Sequence, residues 1–136
     1  LSSHADYRRV YSAKTYNGTI LAATDDQTDL LTPKSANHRL YIQTIAVSIT
    51  TYSAQTWTFQ DDTGTPVVIA HLSIAAAAPT ASGDSGTIIW DFGPEGPPLT
   101  TGQNLDLAMS AAGAAGRIKI EGYERLVGPV AQASTN

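Results

Sequence analysis

The chain contains no cysteine among its 136 residues. This absence excludes disulfide bonds, zinc–thiolate sites and cysteine nucleophiles, and it favours folding in a reducing cytoplasm. A chain of this length buries about two-thirds of its unfolded surface, so one hydrophobic core can stabilise it without covalent cross-links. We therefore expect a single domain that assembles in a reducing cytoplasm.

Basic residues are also scarce, since eight Lys and Arg stand against twelve Asp and Glu, for a net charge of -4. Binding of nucleic acid requires clustered cations that neutralise phosphates, and the only adjacent basic pair is Arg8-Arg9. Long apolar runs are absent as well, because no stretch approaches the roughly 20 apolar residues of a membrane span. We expect neither a nucleic acid nor a membrane as a partner.

Alternation of apolar and polar residues is what the sequence has in abundance. Ile45, Val47 and Ile49 alternate with polar or small residues, the period of two that places one face of a β-strand on a core. The same period recurs three times further along the chain. These repeats are Trp57 and Phe59, then Leu105, Leu107 and Met109, then Ile118 and Ile120.

Turn residues separate the predicted strands. Asp61-Asp62-Thr63-Gly64 lies between the Trp57 strand and the apolar run 67–72, which predicts a β-hairpin. Asn17-Gly18 is the strongest short signal for a type I′ turn, because that turn needs positive φ at both central residues. It predicts another hairpin, between residues 10–16 and 19–23.

Three further segments are predicted to lack regular strand pairing. Residues 24–37 read as a connection around a short apolar anchor, Leu30-Leu31. Residues 93–98 combine three prolines, which lack N–H donors, with two glycines, which loosen the backbone. Residues 111–115 are small, and they suit a tight turn or the close approach of another chain.

This pattern predicts an all-β, single-domain β-sandwich of the jelly-roll or immunoglobulin-like kind, with about seven or eight strands. Helix content should be near zero, because Pro79 directly follows the only helix-favouring run, residues 75–78. We divide the chain into an N-terminal arm with the start of the first hairpin (1–14), the sandwich (15–126) and a flexible C-terminal tail (127–136).

One motif resembles a catalytic segment. Gly83-Asp84-Ser85-Gly86 matches the start of the nucleophile segment of chymotrypsin-like serine proteases. The context does not match, because Thr87 stands where those enzymes have another glycine, the chain is too short for two barrels, and no histidine lies in a general-base motif. We predict a plain loop, no catalytic residues and a protein that is not an enzyme.

Acidic and histidine side chains are the potential metal ligands of this sequence. The pairs Asp25-Asp26 and Asp61-Asp62, with Asp29 and Asp84, could offer oxygen ligands to Ca²⁺ or form a glycosidase carboxylate pair. Asx residues at turns usually bond to their own backbone instead, and no EF-hand pattern is present. The histidines have no ligand spacing; they are His4, His38 and His71. We predict no metal and no cofactor.

Aromatic residues are few, and they admit two interpretations. Trp57, Phe59, Trp90 and Phe92 alternate correctly for inward positions and are predicted to be core, the alternative being a platform for a ligand such as a sugar. Tyrosines suit an interface as well as a domain edge, because the ring can be buried while the hydroxyl stays wet. They are Tyr7, Tyr11, Tyr16, Tyr41, Tyr52 and Tyr123.

The segment from Leu40 to Leu126 resembles small β-sandwich structural proteins of tailed-bacteriophage particles, notably the head decoration or cement proteins. The resemblance lies in an ordered series of motifs. These are Ile45-Ala46-Val47-Ser48-Ile49, Phe59-Gln60-Asp61-Asp62-Thr63-Gly64, Trp90-Asp91-Phe92-Gly93-Pro94-Glu95-Gly96, Leu99-Thr100-Thr101-Gly102-Gln103-Asn104-Leu105-Asp106-Leu107, Ser110-Ala111-Ala112-Gly113 and a closing strand through Gly122-Tyr123.

The resemblance implies a subunit without catalytic residues that clusters, commonly as a homotrimer, on the outside of a capsid and ties neighbouring capsomers together. Its partner would be the major capsid protein, its location the virion surface, and the arms would order on contact. A head fibre, tail or baseplate component is the alternative within the virion. A carbohydrate-binding or adhesin sandwich, using Trp57 or Trp90, is the alternative of another class.

Overall fold

The computed structural model describes residues 11–78 and 86–127. Within these residues the chain forms eight β-strands and no helix, which confirms the all-β prediction. The strands are β1 (Tyr11–Ile20), β2 (Asp26–Leu31), β3 (His38–Thr51), β4 (Gln55–Asp61), β5 (Val68–Ile74), β6 (Thr87–Asp91), β7 (Leu105–Met109) and β8 (Ala115–Leu126).

The strands form two four-stranded antiparallel sheets, sheet A in the order β1-β8-β3-β6 and sheet B in the order β2-β7-β4-β5. Each successive strand changes sheet, except that β4 and β5 pair as the predicted hairpin. This alternation is that of an eight-stranded jelly roll. An immunoglobulin-like sandwich keeps its first two strands in one sheet, whereas β1 and β2 lie in different sheets here. Of the two predicted kinds of sandwich, the strand order therefore matches the jelly roll.

One apolar core lies between the sheets. On β3 and β4 the alternation seen in the sequence becomes an alternation of buried and half-buried side chains. The largest fully buried side chains come from both sheets and the loop before β7. They are Trp57, Phe59, Ile20, Leu40, Ile42, Ile45, Leu99, Leu105, Leu107, Ile118, Ile120 and Val47.

The hairpin predicted at Asn17-Gly18 is wrong. β1 runs straight through both residues, which pair with Lys119 and Ile118 of β8, and neither has the positive φ of a type I′ turn. Gly18 serves another purpose, because the ring of Tyr16 lies over the position that a Cβ would occupy there. Ten residues of pairing with β8 outweigh the local preference for a turn.

The connection predicted for residues 24–37 contains a strand, β2, which pairs with β7. The pairing is interrupted between Gln27 and Leu31, and Asp29 there has a positive φ of 59°. Because this irregularity breaks the period of two, Leu30 and Leu31 are both buried. Because of this irregularity the sequence of β2 does not alternate apolar and polar residues, so the prediction gave a connection here and no strand.

The structure describes only a part of the predicted N-terminal segment and C-terminal tail. β1 begins at Tyr11, so residues 11–14, predicted as the start of the first hairpin, form the start of a strand of sheet A. β8 ends at Leu126, and the N–H of Val127 donates to the carbonyl of Asn37 at 2.8 Å. The remainder of both predicted arms, residues 1–10 and 128–136, lies outside the described residues.

The two ends of the sandwich differ in composition. The terminal end holds the start of β1, the end of β8 and the loops 32–37, 62–67 and 92–104. The opposite end, here called the alanine-rich end, is formed by the four loops 21–25, 52–54, 75–86 and 110–114, whose exposed residues, where described, are mostly alanine. These exposed residues are Leu21, Ala22, Ala23, Asp25, Ala54, Ala75, Ala76, Ala77, Ala78, Ser110, Ala111 and Ala112.

Candidate functional site

Asp61, a member of one of the two acidic pairs weighed as possible calcium ligands, is a buried structural acceptor at the end of β4. Its Oδ1 accepts hydrogen bonds from the Thr63 hydroxyl at 2.9 Å and the Val67 N–H at 3.0 Å. Its Oδ2 accepts from the N–H of Thr100 at 3.0 Å and from the Thr100 hydroxyl at 2.6 Å. Burial raises the pKa of Asp61, but the hydrogen bonds from Thr100, Val67 and Thr63 outweigh it and hold that pKa below its usual value.

Asp106, which the sequence reasoning did not single out, is a second buried carboxyl group. Burial raises its pKa above the ordinary value, and the neighbouring carboxylates of Asp62 and Asp29 add to the rise. The Asp29 N–H opposes this by donating to Asp106 Oδ1 at 2.9 Å. Asn104 donates to the Asp29 carboxylate in turn, so these acidic groups tie β2 to β7.

The acidic pairs do not come together as a metal site. In the part of the chain that the structure describes, no group of three or more Asp, Glu or His side chains is placed to hold a metal ion. Asp26 instead accepts a hydrogen bond from the Met109 N–H at 3.0 Å, across the β2–β7 pair. Asp84 lies outside the described residues, as do the other residues of the protease-like motif except Gly86.

The two described histidines make local hydrogen bonds. Nδ1 of His38 lies 2.7 Å from the Ser35 hydroxyl, within the β2–β3 loop and the start of β3. Nδ1 of His71 lies 3.0 Å from the Thr58 hydroxyl across the β4–β5 hairpin. The histidines are on separate strands, His38 on β3 of sheet A and His71 on β5 of sheet B. His4 lies outside the described residues.

The aromatic residues form part of the core. Trp57 and Phe59 are fully buried on β4, and the Trp57 indole N–H donates to Oε1 of Gln55 at 2.8 Å. Trp90 and Phe92 are half-buried against the core, and the Trp90 ring meets Phe59 edge-on, with ring centroids 6.1 Å apart. The prediction of inward positions is correct, and Trp57 has no exposed face to offer a ligand.

Two tyrosines stack on the outer face of sheet A. Tyr41 of β3 and Tyr123 of β8 are paired in register, with ring centroids 4.9 Å apart and ring planes within 5° of each other. The Tyr123 hydroxyl donates to the carbonyl oxygen of Glu95 at 2.8 Å. The stack therefore anchors the proline-rich segment 93–98 against sheet A. Tyr16 and Tyr52 are half-buried against the core.

The proline-rich segment 93–98 has no regular strand, as predicted, but it does bond to β3. The N–H of Ile42 donates to the carbonyl of Pro97 at 3.0 Å, and the N–H of Leu99 donates to the carbonyl of Leu40 at 2.9 Å. Gly96 has a φ of 68° and lies against the backbone of Ile42, so a side chain would not fit there. The segment thus extends β3 pairing beyond the end of β6.

The small residues 111–115 do not close a hairpin, because β7 and β8 lie in different sheets. They carry the chain across the alanine-rich end, where the N–H of Gly113 donates to the carbonyl of Ala22 at 2.7 Å. Gly113 also has a φ of 119° and lies against the Ser53 side chain. Close approach therefore occurs, but between loops of the same chain.

The terminal end is tied together by a buried carboxylate, Glu124 of β8. Its Oε1 accepts a hydrogen bond from the Lys34 N–H at 2.8 Å and lies 3.8 Å from Nζ of Lys14. Tyr11 pairs with Arg125 in the same region, so β1 begins next to the end of β8. The first described residues of β1 therefore lie beside the last residues of β8.

The outer edge of sheet A carries the most exposed large apolar side chain of the described residues. Ile89 of β6 is 68% exposed, and its neighbour Ile88 is 36% exposed. Within the described residues β6 pairs with β3 alone. Leu21, Val67 and Val68 are the other exposed large apolar side chains, at the alanine-rich end and around the start of β5.

Comparison with known proteins found no match among protein-family models, curated proteins or solved structures. The described residues also include no helix that is long and apolar enough to cross a membrane.

Proposed function

We propose that this protein is a non-enzymatic virion structural protein, a decoration or cement subunit that binds the major capsid protein and stabilises the shell. The observation that carries the proposal is the position of the two termini. Because Tyr11 pairs with Arg125, residues 1–10 and 128–136 start from the same end of the sandwich. Two terminal segments that start together can both reach one surface of a partner.

In the proposed mechanism each subunit makes weak contacts with the capsid, and the symmetry of the homotrimer adds the contacts of its three subunits together. A homotrimer that places three terminal ends on equivalent capsid sites gains effective concentration at its second and third contacts. The rigid part of each subunit would be the jelly roll, held by the Asp61 and Glu124 hydrogen bonds near the terminal end. The alanine-rich end would point away from the shell.

The structure bears on the choice between a virion protein and a carbohydrate-binding protein through the aromatic side chains. Jelly rolls occur in viral capsid proteins and in lectins, so the fold does not choose between a virion protein and a carbohydrate-binding protein. The carbohydrate alternative depended on Trp57 or Trp90, and Trp57 is fully buried while Trp90 packs edge-on against Phe59. This disfavours the sugar platform. A head fibre, tail or baseplate component remains the alternative within the virion.

The test is deletion of residues 1–9 and 128–136 together. The truncated protein should fold, because all eight strands remain, but it should bind undecorated capsids at least about tenfold more weakly per site, or about 1.4 kcal/mol. Co-sedimentation with capsids measures the binding, and circular dichroism and thermal unfolding check the fold. Full occupancy by the truncated form would show that the terminal segments do not make the contact.

A matched control places a charge at the other end of the sandwich. Ala112→Glu changes an exposed residue of the alanine-rich end and should leave capsid binding unchanged. Loss of binding by this variant alone would mean that the alanine-rich end faces the shell. If no form binds capsids while the intact protein binds glycans, measured by calorimetry, then the virion assignment is wrong.

A further inference from the structure

The outer edge of β5 has backbone groups that point away from the sandwich. On the neighbouring strand β4, the Thr56 carbonyl accepts from the Ser110 N–H at 3.0 Å and the Thr56 N–H donates to the Ser110 hydroxyl at 2.9 Å, so Thr56 bonds on the β7 side. Bonding direction alternates along a strand, so the next residue of β4 bonds towards β5, where Leu72 lies opposite. Leu72 therefore bonds back to β4, and the backbone groups of His71 and Ser73 point outward.

No other strand covers this edge in the described part of the chain. β5 is the outermost strand of sheet B and pairs with β4 alone, and the structure also describes the segments on both sides of it, residues 62–67 and 75–78. Among the described residues, no further backbone bond is found at His71 or Ser73. Both side chains are exposed as well. The edge is therefore open to another strand.

Most of β5 also lacks the features that usually keep a sheet edge from pairing. Natural edges are guarded by charged residues, proline or a β-bulge. Residues 65–78 contain no Asp, Glu, Lys or Arg, and Pro66 lies before the strand. The register shift of β5 lies at its start, and residues 70–74 pair with β4 in regular register. The edge strands β1 and β2, by contrast, each contain charged residues.

We propose that two copies of this chain pair through β5, antiparallel and about a two-fold axis at Leu72, so that the two B sheets become continuous. In this register His71 of each copy lies opposite Ser73 of the other. Because the backbone groups of both residues point outward, each such pair exchanges two hydrogen bonds, and the two pairs together form about four. No like charges meet along the strand.

Exposed apolar side chains at the two ends of β5 support a second copy as the occupant. Val67 and Val68, at the start of the strand, are 39% and 54% exposed. Ala76 and Ala77, just after its end, are also exposed. The axis at Leu72 brings Val68 of each copy to Ala76 of the other, and Val67 to Ala77. A second copy therefore offers both the hydrogen-bonding edge and apolar partners for the two valines.

This contact goes beyond the proposed function and does not depend on it. A self-complementary contact is two-fold, so it would join copies of neighbouring trimers and could not generate the trimer itself. Dimerisation is measured in solution without capsids, and its absence leaves the capsid-binding test unaffected.

The first test is a cross-link that depends on the register. His71→Cys and Ser73→Cys are made as separate variants, one with a longer tag, in a chain that has no other cysteine. Opposed Cα atoms of a hydrogen-bonded pair are about 5.5 Å apart, within the range of disulfides, whereas identical residues of the two copies lie on the diagonal, about 7–8 Å apart. We expect a mixed disulfide dimer under mild oxidation, seen by non-reducing electrophoresis, and little dimer from either variant alone.

The control for the cross-link is Lys119→Cys, which changes an exposed residue of β8 in the other sheet. Mixed with Ser73→Cys, it should give little dimer. Absence of the mixed dimer between His71→Cys and Ser73→Cys, or an equal amount of dimer in the control mixture or in either single variant, would overturn the proposal.

The second test removes one outward backbone donor. Ser73→Pro lacks the N–H that points away from β4, so it should leave the β4–β5 pairing in place but weaken dimerisation at least about tenfold. Ser73→Ala keeps that N–H and should dimerise like the original protein. Sedimentation velocity over a concentration series measures dimerisation, and circular dichroism and thermal unfolding check that both variants fold.

Two outcomes of this test would rule out a second copy as the occupant. One is an original protein that stays monomeric over the whole series, and the other is a folded Ser73→Pro variant that dimerises like the original. A monomeric original protein whose capsid binding is lost in Ser73→Pro would assign the edge to the capsid protein instead.

Discussion

Phe59→Ala is expected to lower the free energy of unfolding by about 3–5 kcal/mol, the usual loss on emptying an aromatic core site. Phe59 is fully buried on β4, an inner strand of sheet B. Its ring also meets Trp90 of sheet A edge-on, so the substitution leaves a cavity between the two sheets. Chemical denaturation monitored by tryptophan fluorescence and circular dichroism measures the loss.

Trp90→Ala provides the comparison within the same aromatic pair. Trp90 is half-buried on the outer strand β6, so part of its ring already contacts water and the cavity can open to solvent. We expect a loss of about 1–2 kcal/mol, clearly smaller than for Phe59→Ala. Equal losses would mean that the two rings are equally part of the core. Full stability of Trp90→Ala with loss of glycan binding would identify a ligand platform.

Asp61→Asn should cost about 3 kcal/mol at neutral pH, because it removes the charge of an acceptor that takes four hydrogen bonds and leaves one buried N–H without its acceptor. The amide keeps one oxygen for Thr63 and Val67, and the Thr100 hydroxyl can turn to accept from its NH₂ group, but that NH₂ group then faces the Thr100 N–H. The β4–β5 turn and the loop before β7 would lose their common anchor. Thermal and chemical unfolding at pH 7 measure the effect.

The pH dependence of this effect has a definite sign. The pKa of Asp61 is lower in the folded protein than in the unfolded chain, so its carboxylate contributes stability above about pH 4. That contribution is lost as the pH falls through the folded pKa. The difference between Asp61→Asn and the original protein should therefore shrink below about pH 4. A difference that is constant with pH would show that ionisation of Asp61 is not its source.

Asp106→Asn is the matched control, with the same chemical change on the neighbouring strand β7 and the opposite expectation. The pKa of Asp106 is raised in the folded state, so ionisation of this carboxyl group opposes folding as the pH rises through that value. An amide resembles the neutral acid and can still accept from the Asp29 N–H. We expect Asp106→Asn to be at least as stable as the original protein at pH 7, with any gain disappearing in acid.

Much of the fold could be predicted because its strongest signals are local and periodic. The alternation at Ile45, Val47 and Ile49 is the alternation of buried residues on β3, and Asp61-Asp62-Thr63-Gly64 does close the β4–β5 hairpin. Trp57 and Phe59 are buried as their spacing predicts. These features need only a strand with one apolar face and a turn that its own residues favour.

The exposed apolar residues at the outer edge of sheet A could not be predicted, because their exposure depends on which strands lie at the edges of the sheets. Thr-Ile-Ile-Trp-Asp reads as an ordinary buried strand, and only the sheet order places β6 outermost and exposes Ile89. The shared exit of the two termini likewise requires the pairing of Tyr11 with Arg125, more than a hundred residues apart along the chain. No local pattern records such a pairing.

The period of two in the sequence is enough to predict an all-β chain whose strands bury alternate residues, and its composition excludes thiol chemistry. Pairing between distant strands is needed to explain why Asn17-Gly18 continues a strand and why two adjacent leucines after Asp29 face the core. It is also needed to explain why Asp61 accepts hydrogen bonds from backbone and hydroxyl donors. The reason is that pairing between distant strands supplies many hydrogen bonds at once, and their sum exceeds the preference of any single turn.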